Sequence, residues 1–525
     1  MGVPDMCEFD FEEILPEDED LLLSGEDKIP YDDSEPVSEE EGGYDTLYFP
    51  PYSKEELEEL TEVTVPEGMT GIGSGAFLNC KKLVSVHLPE SMEVIYNGAF
   101  KGCSALASIN LPGKLSRIGE EAFKGCAALK EIGLPESGCW IERNAFYGSG
   151  LRSVSIPDNS GYYIDDGYFS EDEKLSIGLS AFKNCRDLVS VRLPRGLDWI
   201  DGFAGCTSLR SVSIPQGVTE ICESAFRGCT ALESVEFPEG LERIGVSAFE
   251  GCSSLRSADL PKELKEIDMY AFHNCTSLAR VELPDTAEAA GGVFFGCSAL
   301  ADENGFVILR GELHAYTGNA SEIVIPEGVR AIWYGAFAYN ETVTRVVIPQ
   351  GVEWLRGTFM DCVNLEEAVL PDTLKEVGGA AFSGCRKLKT VVLPAGLEML
   401  GKRCFTGCEN VEPVFCGKPS HIEEDAFVDC VKVFRTASDL TVLKAKYLSK
   451  NSIAAVILDE GAESIAKRAF SGCTGLRSVL LPDSMKEIGE FAFADCKNLS
   501  FINLPEGVST ADWAFYGCEN LHLDR

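Results

Sequence analysis

The segment Ile72–Ser91 reads IGSGAFLNCKKLVSVHLPES, and the segment Ile95–Lys114, which begins 23 residues later, reads IYNGAFKGCSALASINLPGK. Both segments place an Ile five residues before a Phe, a Cys three residues after that Phe, and an apolar run ending in Leu-Pro further on. Because the same pattern recurs almost to the end of the chain, the sequence predicts a repeat protein of the solenoid type.

The Phe residues define the period of this repeat, since most of them lie 22 or 23 residues apart. The full unit reads L-x-x-V-x-L-P-x-x-h-x-x-I-x-x-x-A-F-x-x-C, where h is apolar. Eighteen copies carry the Phe: Phe77, Phe100, Phe123, Phe146, Phe182, Phe203, Phe226, Phe249, Phe272, Phe294, Phe337, Phe359, Phe382, Phe405, Phe427, Phe470, Phe493 and Phe515.

Each part of the unit has a physical interpretation. Side chains alternate along a strand, so in L-x-x-V-x-L the residue Val86 points inward and its neighbour His87 points outward. Pro89 ends this strand because it has no N–H to donate to the next ladder. A second short strand ends at Ile95, and Ala99–Cys103 then forms a tight or helical turn whose Phe fills the centre of the coil.

Stacking of neighbouring repeats is required for stability. A buried Phe contributes roughly 1.5–3 kcal/mol, so the stacked Phe residues form the spine of the core. One repeat cannot bury its own apolar face, and the stability of the array is therefore a sum over the interfaces between repeats.

These motifs resemble the BspA-type leucine-rich repeats, which carry the same L-x-x-V-x-L-P…I-G-x-x-A-F-x-x-C unit, and the resemblance covers about residues 61–525. It implies a β-rich, right-handed leucine-rich repeat solenoid of about 18 repeats, with a parallel sheet on a concave face and short strands or helical turns on the other faces. It also implies a role in binding, because members of the family act as adhesins or interaction surfaces.

Three long intervals between Phe residues divide the predicted array. The segment FVILRGELHAY within the second interval predicts a β-hairpin that turns at Arg310-Gly311. The predicted organisation is an acidic disordered leader or N-terminal cap at residues 1–60, with 47–65 as the covering segment, followed by three repeat blocks. The blocks comprise residues 61–300 with an insertion at 157–174, residues 301–430 beginning with the hairpin insertion, and residues 431–525 beginning with an irregular insertion.

Charge and hydropathy exclude several classes of function. The net charge is −40, and residues 1–60 alone contribute −20, so repulsion from phosphate makes nucleic acid an unfavourable partner. No apolar run is long enough to span a membrane. The first residues lack the basic and apolar regions of a secretory signal, so we expect a cytoplasmic protein or a surface protein whose true start lies upstream.

Cysteine follows the Phe by three residues in sixteen of the eighteen units, and Ser149 and Asn340 replace it in the other two. These residue types predict a small side chain that hydrogen-bonds a turn carbonyl. Zinc sites and disulfides are the alternatives, but paired C-x-x-C ligands are absent and identical slots all point the same way. A ladder of buried, reduced cysteines is favoured, which suits a reducing compartment.

An apolar column on the predicted concave sheet is the first candidate binding surface. The outward residue before the last apolar strand position is polar or small in the first half of the chain, as in Ser213. It becomes Val347, Val369 and Val392 after the hairpin, and Leu480 later. Exposed apolar stripes mark interfaces, so we expect this column to bind a protein. The alternative is a column chosen for β-propensity and covered by an insertion or by the leader.

The first insertion is the second candidate. It places Tyr162, Tyr163, Tyr168 and Phe169 among acidic residues, and aromatic side chains on a loop are typical of binding hot spots. The alternative is a loop whose aromatic residues lie against the flank of the solenoid. A calcium site from Asp165, Asp166 and Glu171 is disfavoured, because the ligand spacing fits no known calcium loop.

No catalytic motif is evident. Five His residues are dispersed along the array, and neither a catalytic triad order nor a phosphate-binding loop occurs. The sequence therefore predicts a non-enzymatic scaffold that binds a protein partner, with no cofactor and no metal. The alternatives are an exported adhesin with a missing signal peptide, and an enzyme with a site in the insertions at 301–335 or 431–465.

Overall fold

The computed structural model describes residues 47–48, 50–158, 178–423, 425–430, 432–436 and 453–523. The chain is a β-solenoid of about 18 turns with a repeat of about 23 residues. Within the described residues, helix is confined to an α-helix at Lys54–Glu59 and a 3-10 helix at Ser298–Leu300. The resemblance correctly indicated the class of fold.

Most turns contribute a front strand, from the L-x-x-V-x-L segment, and a rear strand, which ends at the Ile position of the unit. The front strands are Glu62–Thr64, Ser85–His87, Ser108–Ile109, Ser153–Ser155, Ser190–Arg192, Ser211–Ser213, Ser234–Glu236, Ser257–Ala258, Arg280–Val281, Glu322–Val324, Arg345–Val347, Glu367–Val369, Thr390–Leu393, Glu412–Phe415, Val433–Thr436, Ala455–Leu458, Ser478–Leu480 and Phe501–Ile502. The rear strands are Leu47–Tyr48, Gly71–Ile72, Val94–Ile95, Arg117–Ile118, Trp140–Ile141, Trp199–Ile200, Glu220–Ile221, Arg243–Ile244, Glu266–Ile267, Glu288–Ala289, Glu312–Tyr316, Ala331–Ile332, Trp354–Leu355, Glu376–Val377, Met399–Leu400, His421–Ile422, Ser464–Ile465, Glu487–Ile488 and Ser509–Thr510.

Neighbouring turns pair in parallel and in register, so equivalent residues stand one above the other. Val212 pairs with Val235 in the front layer, and Ile221 pairs with Ile244 in the rear layer. The front strand Ser211–Ser213 is exposed at both ends and buried at its central Val, as strand alternation predicts. A period of constant length therefore builds continuous columns of like residues.

The Phe residues form the predicted spine. Rings of Phe226 and Phe249 lie 5.3 Å apart between centroids and are tilted by only 7°, and the next pair, Phe249 and Phe272, repeats this geometry. In most turns the backbone N–H of the Phe donates to the carbonyl of the residue before the next Phe, usually an Ala, as Phe226 does to Ala248 at 2.8 Å. The spine is thus held by apolar burial and by the backbone.

The N-terminal end of the described array is covered by the segment that the sequence indicated. The strand Leu47–Tyr48 pairs with Gly71–Ile72, and the Tyr48 ring lies 6.1 Å from Phe77, where a preceding Phe would stand. The helix Lys54–Glu59 begins with a capping box, since Ser53 and Glu56 each accept a hydrogen bond from the other's backbone N–H.

The predicted hairpin is confirmed. Phe306–Leu309 runs antiparallel to Glu312–Tyr316 and turns at Arg310-Gly311, whose φ angles are +51° and +76°. Two positive φ angles are what a tight hairpin turn requires, which explains the glycine. The strand Glu312–Tyr316 also serves as a rear strand, and Tyr316 stacks on Phe337 at 5.2 Å in place of a Phe.

The apolar interior consists of three clusters of buried residues. The first runs from Val63 to Cys297 and adds two residues of the hairpin, Val307 and Ala315. The second covers the turns up to Cys430, and the third covers the turns from Ile453 onward. We call them the first, second and third core. Residues 1–46 and 159–177 lie outside the described residues.

The cysteines form a buried ladder. Each repeat thiol in the interior of a core donates to the carbonyl of the Phe one turn earlier, as Cys229 does to Phe203 and Cys252 to Phe226, both at 3.2 Å. This identifies the acceptor that the sequence left unspecified. No disulfide joins the described cysteines, and burial raises the pKa of the Cys229 thiol to about 12.

The ladder predicts a selective thiol reactivity. Among the described cysteines Cys416 is the exposed one, so we expect it to react with Ellman's reagent much faster than the buried thiols, which the reagent cannot reach. The change Cys416→Ser should remove one fast equivalent from the native protein, and Cys229→Ser should remove none. Equal loss in both variants would show that the ladder opens readily in solution.

Candidate protein-binding site

A continuous row of valines lies on the solvent side of the front strands in the second core. Strand pairing places Val324 beside Val347 and Val347 beside Val369, and it likewise pairs Val392 with Val414. The strands Glu367–Val369 and Thr390–Leu393 are joined by a hydrogen bond from the Lys389 N–H to the Glu366 carbonyl. We call this row the valine stripe: Val324, Val347, Val369, Val392 and Val414.

Strand alternation explains why the stripe is exposed. The inward neighbours Val346 and Val391 are fully buried in the second core, so the residues that follow them must point outward. The exposed fraction is 67% for Val324 and 51% for Val392. Val347 and Val414 are half-buried between their neighbours. Five adjacent strands at about 4.8 Å give the stripe a length of about 19 Å.

Three members of the stripe, Val347, Val369 and Val392, are residues that the sequence proposed, and the structure aligns them. The two ends, Val324 and Val414, were missed. Val324 follows the hairpin, where the Phe spacing no longer sets the phase of the repeat. Val414 stands between Pro413 and Phe415, in a strand that lacks the usual Leu-Pro ending. The only local signal for them is the alternation of inward and outward side chains along a strand, in EIVI for Val324 and in PVF for Val414.

The equivalent position in the first core is polar. Ser155, Ser213 and Glu236 are exposed there, and the Asn110 side-chain amide exchanges two hydrogen bonds with the backbone of Leu88, at 2.8 and 2.9 Å. Among the described front strands of these two cores, the apolar stripe therefore belongs to the second.

The prediction that Leu480 lies on an exposed stripe is wrong. Leu480 is only 3% exposed, and with Ile457 it belongs to the second core rather than the third. The Ser478 hydroxyl donates to the Pro413 carbonyl at 3.0 Å, and Arg477 pairs with Glu412 at 3.0 Å. The front face of the third block thus covers the edge of the strand Glu412–Phe415. Unpaired strand edges are commonly shielded in this way, and only tertiary contacts reveal it.

The second candidate surface, with Tyr162, Tyr163, Tyr168 and Phe169, lies outside the described residues and stays a prediction. The disfavoured calcium ligands of the same insertion lie there too. Within the described part of the chain, no group of three or more His, Cys, Asp or Glu residues is arranged to hold a metal ion. No helix among the described residues is long and apolar enough to cross a membrane.

A charged depression adjoins the end of the stripe. It has a volume of about 480 Å³, and we call it the lysine pocket. Lys389 pairs with Glu366 at 2.5 Å, and Lys432 pairs with Glu412 at 2.8 Å. The hydrogen bond and the charge of Lys389 lower the pKa of the Glu366 carboxyl. The residues that line the pocket are Glu366, Lys387, Lys389, Thr390, Asn410, Glu412 and Lys432.

The parallel ladders, the Phe spine and the repeat length define a leucine-rich repeat solenoid. Its sequence matches the family model for the "BspA type Leucine rich repeat region (6 copies)" over residues 50–176, 169–204, 200–304, 309–434 and 441–523. The chain belongs to this family, which is generally non-catalytic.

Solved structures show similar chains. A leucine-rich repeat protein from Bacteroides ovatus is 25% identical, with 75% of this chain and 91% of that chain covered and a TM-score of 0.43. A leucine rich cell surface protein from Faecalibacterium prausnitzii is 19% identical, with 86% and 87% covered and a TM-score of 0.30. The pneumococcal vaccine antigen PcpA is 17% identical, with 87% and 85% covered and a TM-score of 0.24. No curated protein matches the chain.

Proposed function

We propose that the protein is a non-enzymatic scaffold that holds a protein partner on the valine stripe. The observation that carries the proposal is the row of five valines on the front strands of the second core, of which Val324, Val369 and Val392 are exposed. The membership of a leucine-rich repeat family supports a binding role in general. A contiguous apolar surface on a strongly charged protein is costly to leave in water, and it is typical of an interface.

The surrounding fold makes the stripe a good binding surface. The valines stand on strands held in register by ladders and by a buried spine, so the partner meets a preformed row rather than a mobile loop. Valine side chains also have few rotamers to lose when a partner covers them. Each valine that becomes fully buried contributes up to roughly 1.5 kcal/mol, and several together give useful affinity.

The proposal is tested by affinity capture from the lysate of the native host. The bait variant Val347→Glu, Val369→Glu and Val392→Glu places three charges in the stripe, and the burial of any one of them against a partner is unfavourable. We expect it to lose its partner by at least about tenfold, which corresponds to about 1.4 kcal/mol.

The matched control carries His87→Glu, Ser155→Glu and Ser213→Glu, which occupy the same strand position in the first core. This control should keep the partner, and circular dichroism should show that all baits fold alike. A partner retained equally by both variants would exclude the valine stripe as the binding site. The insertion with Tyr162, Tyr163, Tyr168 and Phe169 would then be the next surface to test.

A further inference from the structure

We propose that the lysine pocket binds acidic side chains of the partner, so that the partner segment presents apolar residues followed by Asp or Glu. This inference rests on the proposed function of the valine stripe, and it specifies the chemistry of what the stripe holds. It assigns the partner an orientation, with its acidic end toward the third block.

The pocket and the stripe share two strands. Thr390 and Val392 lie on the same face of one front strand, and Glu412 and Val414 do so on its paired neighbour. Two residues along a strand correspond to about 7 Å. A segment that covers the last two valines therefore reaches the pocket within a residue or two.

The third block determines where such a segment must end. Its front face lies against the edge of the strand Glu412–Phe415, through Ser478 on the Pro413 carbonyl and through the ion pair of Lys418 with Asp483 at 2.5 Å. The row of front strands is therefore closed beyond Val414. A bound segment that follows the stripe therefore ends at the third block, next to the lysine pocket.

The charge of the pocket is the reverse of the charge of the whole chain. Lys387, Lys389 and Lys432 line it, and Arg477 contacts its Glu412, whereas the carboxylates are Glu366 and Glu412 alone. Among the lining residues, three lysines against two carboxylates leave a local charge of +1 in a chain of net charge −40. Lys387 acts on the Glu366 carboxyl only through its charge, without a hydrogen bond to it, so its ammonium can donate to an incoming carboxylate.

The size of the pocket favours side chains over a single chain terminus. A volume of about 480 Å³ is more than one carboxylate needs, and Asn410 and Thr390 add neutral hydrogen-bond donors to the lysines. One acidic side chain would neutralise the net charge of the lining residues, and the volume leaves room for a second. The stripe of about 19 Å matches roughly six residues of extended chain, so the complete motif is short.

The test selects ligands from a library of random, C-terminally fused phage-displayed peptides about twice that length, so that no free terminal carboxylate is present. The wild-type protein is compared with the pocket variant Lys387→Gln, Lys389→Gln and Lys432→Gln. The control variant Lys81→Gln, Lys114→Gln and Lys262→Gln removes the same charge from exposed positions of the first core. Exposed ion pairs contribute little to stability, so the pocket variant should fold. The single change Lys387→Glu, which breaks no such pair, is the second variant.

Wild type and control should yield peptides with an apolar run followed by Asp or Glu. Replacing those acids by amides should weaken binding of the free, amidated peptides by about tenfold, as two charge-assisted contacts would. The pocket variant should yield apolar runs without acid enrichment, and Lys387→Glu should select against acids. Raised salt should weaken the acidic peptides more than their amide counterparts.

The inference is overturned if selected peptides lack acids, if the pocket variant enriches acids equally, or if no peptide is selected. The stripe variant separates this failure from failure of the proposed function. Suppose that apolar peptides bind the wild type with or without acidic residues and no longer bind the variant Val347→Glu, Val369→Glu and Val392→Glu. This result would support binding on the valine stripe and would exclude the lysine pocket. If the selected peptides bind the stripe variant as tightly as the wild type, both the valine stripe and the lysine pocket are excluded as binding sites.

Discussion

Replacing Phe249 by Ala is expected to lower the free energy of unfolding by about 3–5 kcal/mol. The Phe249 ring is fully buried and lies between two parallel neighbours, Phe226 and Phe272, each 5.3 Å away. Its loss removes the transfer free energy of the ring and leaves a cavity that the backbone ladders keep from collapsing. In a repeat array, stability is a sum over neighbouring interfaces, so both interfaces of this turn weaken.

Chemical denaturation followed by circular dichroism measures this loss, and hydrogen exchange locates it in the turns around Phe249. Phe237→Ala is the matched control, because Phe237 belongs to the same turn but is only half-buried and meets the Phe249 ring edge-on at 5.8 Å. Its cost should be clearly smaller. Equal effects of the two changes would contradict a spine that carries the core.

His314 is expected to make the protein sensitive to acid. The imidazole is 1% exposed and stacks on Trp333 at 5.8 Å, and neither ring nitrogen has a hydrogen-bond partner among the described residues. Burial, together with the nearby charge of Arg310, lowers the pKa of His314 to about 4, while the Glu312 carboxylate lies 4.0 Å from Nε2. The folded protein therefore holds this ring neutral.

The unfolded chain binds a proton at His314 with a pKa near 6.5, and the folded chain does not until about pH 4. Stability is thus fully present above pH 6.5 and is lost as the pH falls from there to about 4. The loss amounts to about 3 kcal/mol, since one pKa unit corresponds to about 1.4 kcal/mol.

The change His314→Phe keeps an aromatic ring on Trp333 and removes the titration. We expect the difference in the free energy of unfolding between pH 7.5 and pH 4.5 to shrink by about 2–3 kcal/mol in this variant. His87→Phe, at an exposed position of the first core, is the control and should leave the pH dependence unchanged. An unchanged pH dependence in His314→Phe would show that the buried ring is not the source.

Local repetition explains what the sequence predicted well. The Phe period, the strand alternation around Val86 and the glycine at Gly311 are each encoded within one or two turns, so the ladders, the spine and the hairpin could be predicted. The need for a small, hydrogen-bonding side chain at the cysteine position was likewise recognisable, because Ser149 and Asn340 replace the Cys in two units. The carbonyl that accepts from each thiol became clear only once successive turns were stacked.

Long-range contacts explain what the sequence did not show. Leu480 follows the same local pattern as Val392, yet the third block turns its front face onto the strand Glu412–Phe415 and buries it. The lysine pocket draws on four successive turns, and its residues Glu366, Lys387, Asn410 and Lys432 are each separated by more than twenty residues along the chain. No local pattern marks such a combination.

Site-specific photo-crosslinking in the native host tests most directly whether a partner binds on the valine stripe. A photoreactive phenylalanine analogue is placed at Val369, in the middle of the valine stripe, and at Ser213, the equivalent front-strand position of the first core. We expect a discrete adduct with a partner protein from position 369 and none from position 213. No adduct from position 369, or the same adduct from both positions, would contradict binding on the valine stripe.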